Sequence, residues 1–342
     1  MIRVAHLRDE AEIGGVARMV QFLMDRLGTG FEQIAVHVAP SRLTPLKIDA
    51  DVLVVHVTSI WTKLPYLAAL RLARPGRPLI LIEHSYTEQF IRRHVGAPQR
   101  FNVMLRTAYR LASHVVAVSH GQAAWMRGNR LVPDGKLTVI RSATEMANLA
   151  AIPPPAPRRN GAPMHLGAYG RYAEQKGFDL LVEAMHHIQP DVARLSLRGL
   201  GPDKEKLQTL ALGLPHVVIG GLVHDVADFL STVDAVAVPS RWEAFGQVAT
   251  EARAAGRPVI AADVDGLTEQ VCSEFGLLVP PADAKALAGA IRHMAAADLT
   301  RLGEAARRSV ASHGADHLAA WRALLSNAVR KPDALASQSS AT

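Results

Sequence analysis

The chain has 342 residues, 49% of them hydrophobic and 20% charged, which fits two globular domains of ordinary size and excludes a disordered or fibrous chain. A single cysteine, Cys272, excludes an internal disulfide or a cysteine-built zinc site, no window approaches the ~20 apolar residues of a membrane span, and the start MIRVAHLRDE lacks the apolar core of a signal peptide, so a reducing, cytoplasmic setting is expected. The net charge of +7 is uneven, with 19 basic against 11 acidic residues in 1–150 and 19 against 20 in 151–342, so the first half is either a soluble arginine-rich domain or a surface that meets phosphates of nucleic acid or anionic lipid.

In chain order, the first half carries short, β-branched apolar runs at IRVAHL (2–7), QIAVHV (33–38), DVLVVHV (51–57), PLILIE (78–83), HVVAV (114–118) and LTVI (137–140). Between them, apolar residues at 16, 19, 20, 23 and 27 make a helical stripe, and 63–73 and 99–112 are further helices. Strands without strict alternation, separated by helices, predict a parallel sheet covered on both faces and doubly wound. Ligands of such sheets sit beyond the carboxyl ends of the strands. After the first strand, Gly14-Gly15 precede a helix and form either an anion-binding loop or a plain tight turn. After the fourth, His84 either meets substrate or caps the next element. No acid lies between Glu88 and Asp134, whereas Arg92, Arg93, Arg100, Arg106, Arg110, Arg127 and Arg130 do. Arg92, Arg93, Arg100, Arg106 and Arg110, with Trp125 and Phe101 as interfacial anchors, are the candidate membrane or acceptor surface.

The proline-rich stretch 151–163 reads as a linker between a first domain (1–150) and a second (164–312). Strands are expected again at 164–169, 193–199, 216–220, 234–239, 258–262 and 275–280, and helices at 177–188, 202–212, 246–255, 283–296 and about 298–328. The end of the chain is read as a helix (313–330) that can cross back to the first domain and a flexible polar tail (331–342). Arg171 and Lys176 lie five apart in a loop entering a helix, which suits a diphosphate, or else a solvated loop. Gly199 and Gly201 flank a strand-to-helix turn that would let a flat base or ribose lie against the backbone. Glu243 falls in a loop and Glu251 in the second turn of the helix that follows. Two carboxylates so placed, with a helix N-terminus between them, suit a ligand with hydroxyls at both ends and negative charge in the middle: a nucleotide sugar. Two solvent-facing glutamates on an amphipathic helix are the alternative.

The stretch EAFGQVATE (243–251) resembles the E-x7-E signature of retaining glycosyltransferases of the GT-B fold, family 4 above all. GRYAEQKGFDLLVEA (170–184), GLGPDKEKL (199–207) and GRPVIAADVDGLTEQV (256–271) are similar to other segments of that family, and IGGVARMVQFL (13–23) and EHSY (83–86) fit more loosely. The resemblance spans about residues 1–328 and departs at RSATEM (141–146), where the family has a short N-G-[IV]-[DN] segment; the loop after the first strand is also short. It implies an α/β architecture of two Rossmann-like, doubly wound parallel-sheet domains facing across a cleft. It implies that Arg171 and Lys176 hold the donor diphosphate and that Glu243 sits by the donor sugar, with Ala244, Phe245 and Gly246 near its hydroxyls or the phosphate. Glu251 would bind the ribose, His84 would contact the sugar near the reacting centre, and Gly15 would let the N-terminal loop close over the phosphates. No metal and no cofactor beyond a UDP- or GDP-sugar is implied. The expectation is a retaining hexosyltransferase acting on a lipid-linked or membrane-presented acceptor, cytoplasmic or peripheral at the inner face of the plasma membrane. The alternatives are an epimerase or hydrolase of nucleotide sugars and, from another class, a nucleic-acid-binding protein; no nucleic acid is expected, since that signal is electrostatic alone.

Overall fold

A computed structural model describes residues 1–9, 14–39, 42, 44, 47–158 and 161–330. The expected flexible tail (331–342) and most of the short loop after the first strand lie outside the described residues. The chain divides into two compact units, Met1–Glu145 with His313–Thr342, and Met146–Ser312.

The first unit holds six strands: β1 (Ile2–Arg8), β2 (Phe31–His37), β3 (Val52–Val55), β4 (Leu79–Glu83), β5 (His114–Ala117) and β6 (Leu137–Val139). They pair in the order β2-β1-β3-β4-β5-β6, every pair parallel. β3 and β4 are buried at every residue, as a sheet covered on both faces requires, whereas the edge strand β2 is largely half-buried or exposed. Side chains such as Leu53, Leu67, Leu81, Leu105 and Tyr109 pack one continuous core. Each such leucine removed from water contributes about 1.5–3 kcal/mol.

The second unit holds β7 (Met164–Tyr169), β8 (Ala193–Arg198), β9 (Val217–Gly220), β10 (Ala235–Val238), β11 (Val259–Ala262) and β12 (Gly276–Val279). Their order is β12-β11-β10-β7-β8-β9, again all parallel. Order reverses at the β7–β10 pair, the topological switch point, and the loops leaving those two strands run 170–177 and 239–246.

Several elements differ from the sequence reading. Helices Glu88–His94, His120–Gly128 and Val226–Ser231 were not expected; Thr87, Ser119 and Asp225 cap them by accepting backbone N–H bonds. The helix expected over 298–328 is two, Leu299–Arg308 and His313–Arg330, parted at Ser309–Ser312, where serines and Val310 are poor helix formers and the chain passes from one unit to the other. The proline-rich stretch belongs to the second unit: Arg257 Nη1 donates to Pro153 O at 2.9 Å and Thr300 Oγ1 to Pro155 O at 2.7 Å, which anchor carbonyls that a free linker would leave to water.

The helix His313–Arg330 is tied to the first unit through the RSATEM segment. His313 Nε2 lies 2.9 Å from Ser142 O and His317 Nδ1 2.7 Å from Arg141 O, each ring donating to a carbonyl. Arg322 adds a bond to Leu27 O at 2.7 Å.

Candidate functional site

The switch point of the second sheet brings together most of the residues singled out in that half. Arg241 forms a fork-shaped pair with Asp179, at 2.7 and 3.0 Å, and also donates to Glu174 O at 2.9 Å. Arg241 N donates to Gln175 O at 2.7 Å and Gln175 Nε2 to Trp242 O at 3.3 Å. The loops after β7 and β10 are thereby zippered together. Burial pushes the Asp179 carboxyl up, but hydrogen bonds and charge from Arg241 and Lys206 more than reverse that and hold it down at about 2.

Within this frame Lys176 Nζ meets Glu243 Oε2 at 2.6 Å, with only 20% and 12% of the two side chains exposed, and Ser240 Oγ donates to the same oxygen at 3.3 Å. The Glu243 backbone is gripped on both sides: its N–H donates to Asp265 Oδ2 at 3.1 Å and its carbonyl accepts from Gly266 N at 3.0 Å. Asp265 adopts φ 43°, a strained value for a residue with a side chain, so this grip has a backbone cost of order 1–3 kcal/mol. Gln270 completes the turn. Its amide nitrogen donates to Phe245 O and Gly246 O, and its oxygen accepts from Thr250 Oγ1 and Arg253 Nη2.

Gly246, at φ 92°, stands at the N-cap of helix Gln247–Ala254; a Cβ there would lie 2.4 Å from Leu267 Cδ2. It caps with no side chain, and it stands beside the Lys176–Glu243 pair, a Cβ on it lying 3.2 Å from Glu243 Cγ. Glu251 lies in the second turn of that helix, only 1% exposed, and accepts from Tyr169 OH at 2.6 Å. The reading of two solvent-facing glutamates on an amphipathic helix is thus excluded. Arg171 is exposed on the loop after β7.

Gly199 and Gly201 have a packing reason of their own. A Cβ on Gly199 would stand 1.9 Å from Gly170 O, and one on Gly201 2.3 Å from Tyr172 O. Their bare backbones let the turn after β8 close onto the loop after β7, where Tyr172 N donates to Leu200 O at 2.8 Å.

In the first unit His84 directly follows β4 and is half-buried. Glu83 Oε1 accepts from Ser85 N and Tyr86 N, and Tyr109 OH donates to its Oε2, so the turn that carries His84 is pinned. Gly15 is exposed and opens the helix Gly15–Arg26, with Gly14 at its N-cap.

The proposed arginine surface needs correction. Trp125 is not an interfacial anchor: it is 8% exposed and packs in the first core, because Gln122, Ala123 and Met126 on its helix also point inward. Phe101 packs edge-on against Tyr86, with centroids 4.9 Å apart. The exposed aromatic is Trp61, at 45%, with the Arg100 guanidinium 5.7 Å above its ring. Arg92 pairs with Glu88 one turn away at 2.5 Å, and Arg93 is exposed. Arg106, Arg110, Arg127 and Arg130 line a pocket of about 260 Å³.

Sequence reasoning missed Asp265 and Gln270, whose roles depend on a turn folding back. It also overlooked two Asp-x-Asp spacings, Asp49/Asp51 and Asp263/Asp265. Both contain a carboxylate used inside the protein, since Asp51 Oδ2 accepts from Arg3 N and Asp265 Oδ2 from Glu243 N.

Family models match both halves: residues 7–143 match a glycosyl transferase 4-like domain and residues 163–297 the glycosyl transferases group 1. The phosphatidyl-myo-inositol mannosyltransferase of Mycobacterium leprae is 30% identical over 280 residues, 78% of this chain and 70% of that protein. The lipopolysaccharide core biosynthesis mannosyltransferase LpsB of Rhizobium meliloti is 33% identical over 139 residues, 36% of this chain; the match spans only 39% of the length of that relative. In fold, the chain is similar to Anabaena Alr3699/HepE in complex with UDP, with TM-score 0.72 at 19% identity over 97% of this chain and 100% of that one. Among the described residues no helix is long and apolar enough to cross a membrane. With two six-stranded parallel sheets and these matches along both, the chain belongs to the GT-B glycosyltransferases of the family 4 type.

Proposed function

We propose that the protein is a retaining, metal-independent glycosyltransferase that moves a hexose from a UDP- or GDP-sugar to a lipid-linked or membrane-presented acceptor in polysaccharide or glycolipid synthesis. The observation that carries the donor half is the Lys176–Glu243 pair, 2.6 Å apart at the switch point of the second sheet and beside the glycine N-cap of helix Gln247–Ala254.

In this reading Lys176 and Arg171 hold the diphosphate and neutralise the charge that builds as it leaves. Glu243 accepts from the donor-sugar hydroxyls. Ala244, Phe245 and Gly246 present backbone to sugar or phosphate, and Glu251 accepts from the ribose. Gly199 and Gly201 shape the turn beside the base, and Gly15 lets the N-terminal loop close over the phosphates. His84 contacts the sugar near the reacting centre. The departing phosphate takes the acceptor proton on the same face, so no protein nucleophile is needed. The acceptor half rests on Arg93, Arg100 and Arg110, with Trp61 in place of Trp125, as a surface for anionic lipid. The lipid-linked acceptor named for the Mycobacterium leprae relative is of this class.

Two assays test the halves separately. In a thermal-shift screen of sugar nucleotides, UDP- or GDP-sugars should raise the midpoint by several degrees; a flat panel sinks the donor assignment. The chain should co-sediment with anionic vesicles at low salt and release at high salt. Equal binding to neutral vesicles, insensitive to salt, sinks the membrane assignment.

A further inference from the structure

The sheet order of the first unit builds a line of side chains that no single motif reveals. Gln33 lies on β2, His6 on β1, His56 just after β3 and His84 just after β4, four neighbours in the sheet. Val4 is opposite Gln33, Val54 is opposite His6, and Ile80 is opposite Val54. Each step across the sheet therefore climbs two residues, and an even step keeps all four side chains on one face. The contacts follow that diagonal. His6 Nε2 lies 3.1 Å from Gln33 Oε1, His6 Nδ1 lies 3.0 Å from His56 Nε2, and His56 Nδ1 lies 3.1 Å from His84 Nε2. His6 and His56 are 0% and 6% exposed, and the rings of His56 and His84 stack with centroids 5.3 Å apart.

The far end fixes the direction of every bond. The Gln33 amide nitrogen donates to Leu23 O at 2.8 Å, so its oxygen faces His6 and can only accept. His6 must then carry its proton on Nε2 and offer Nδ1 as a lone pair. His56 in turn donates from Nε2 and accepts at Nδ1, and His84 donates from Nε2. Burial keeps the rings neutral, with His6 and His84 pushed down to about 4 and His56 held well below its ordinary value; the two neighbouring rings and the Arg8 charge add to the effect on His56, and Arg8 to that on His6. The line does not form a metal centre, because both nitrogens of His6 and of His56 are spent within it.

We infer that Gln33, His6 and His56 are positioning residues that lock His84 as its Nε2–H tautomer, so that its Nδ1 lone pair faces substrate as a fixed acceptor for a sugar hydroxyl. This deepens the proposed function and rests on it for the identity of the substrate, but not for the tautomer. Among the described residues no hydrogen bond reaches Nδ1 of His84. A free histidine would divide its proton between both nitrogens and would have to reorganise before accepting. A histidine held in one tautomer has no such step.

The test is a long-range nitrogen–proton correlation spectrum of the full chain, histidine-labelled, at pH 7 without substrate. All three rings should be neutral with Nε2 protonated. His56→Phe, and separately Gln33→Leu on the half-buried edge strand, should return His84 to exchanging tautomers. Each should also lower kcat about tenfold, with donor KM within twofold, for nucleoside diphosphate release from the sugar nucleotide giving the largest thermal shift. His56→Gln, which can donate and accept at the same places, should restore most of both signals. Nδ1-protonated His84 in the unaltered protein, or an unchanged His84 spectrum in both variants, overturns the inference. The spectrum needs no donor, so a failed donor screen leaves this result readable by itself.

Discussion

Lys176→Ala should lower turnover by about a hundredfold or more while the fold persists. The side chain is only 20% exposed and its amine stands 2.6 Å from a carboxylate, so it is held in one place before any ligand arrives. A cation fixed beside a departing diphosphate acts where charge develops, and removing one such group commonly costs 10²–10³ in kcat. The structural effect should be smaller. Glu243 keeps Ser240 Oγ at 3.3 Å, and its backbone stays clamped by Asp265 and Gly266. Glu243→Gln, nearly isosteric, should also reduce kcat strongly on the proposed role, because the amide would halve the accepting capacity offered to the sugar. Glu251→Gln should behave differently. On its proposed ribose role, whose contacts would persist from ground state to transition state, donor KM should rise about tenfold with kcat within about threefold. The amide oxygen can still take the Tyr169 hydroxyl, which avoids stranding a buried donor. Steady-state kinetics with thermal midpoints for each variant decide the matter. Near-normal transfer by both Lys176→Ala and Glu243→Gln would end the site assignment.

The second large effect is acid lability. His6 and His317 are buried and held near 4 by desolvation, against an ordinary value of 6.5. Unfolding returns each ring to its ordinary value, so between about pH 6.5 and 4 the unfolded chain binds more protons than the folded one. Stability therefore falls as pH falls through that window, by about 1.4 kcal/mol per unit for each fully titrating ring. By pH 4 each of these two rings would account for about 3 kcal/mol, and His56 and His84 act in the same direction. That sum is comparable with the whole stability of an ordinary domain. Urea midpoints should be nearly flat from pH 8 to 7 and collapse between 6.5 and 4.5. In His317→Asn, whose amide can still donate to Arg141 O, the slope should ease by about one ring's share. A flat profile down to pH 5 would contradict this account of the buried rings.

All twelve strands were legible because a two-sided parallel sheet demands unbroken β-branched runs such as VLVV and LILIE, which few other settings tolerate. The helices that escaped notice are short, and their Thr87, Ser119 and Asp225 caps were present but had no long apolar stripe behind them. Glu243, Lys176 and Gly246 could be placed from their loops alone because both loops leave strands at the switch point. Asp265 could not, since only a turn folding back brings its carboxylate to Glu243 N. Trp125 was misread because a run of arginines says how a segment is charged, not which way its one tryptophan points. The histidine line was invisible for a related reason: IRVAHL, DVLVVHV and PLILIEHS each carry one histidine near the strand end, and only sheet order and register join them.

In the proposed function, fixed positive charge in the second unit grips the diphosphate of a sugar nucleotide. Titration calorimetry of UDP, UMP and uridine, with GDP, GMP and guanosine in parallel, addresses it without knowledge of the sugar or the acceptor. For one of the two bases the diphosphate should bind at least tenfold more tightly than the nucleoside, and Lys176→Ala should erase most of that increment while leaving nucleoside binding unchanged. Diphosphate and nucleoside binding equally well, or an increment that survives in Lys176→Ala, would contradict it.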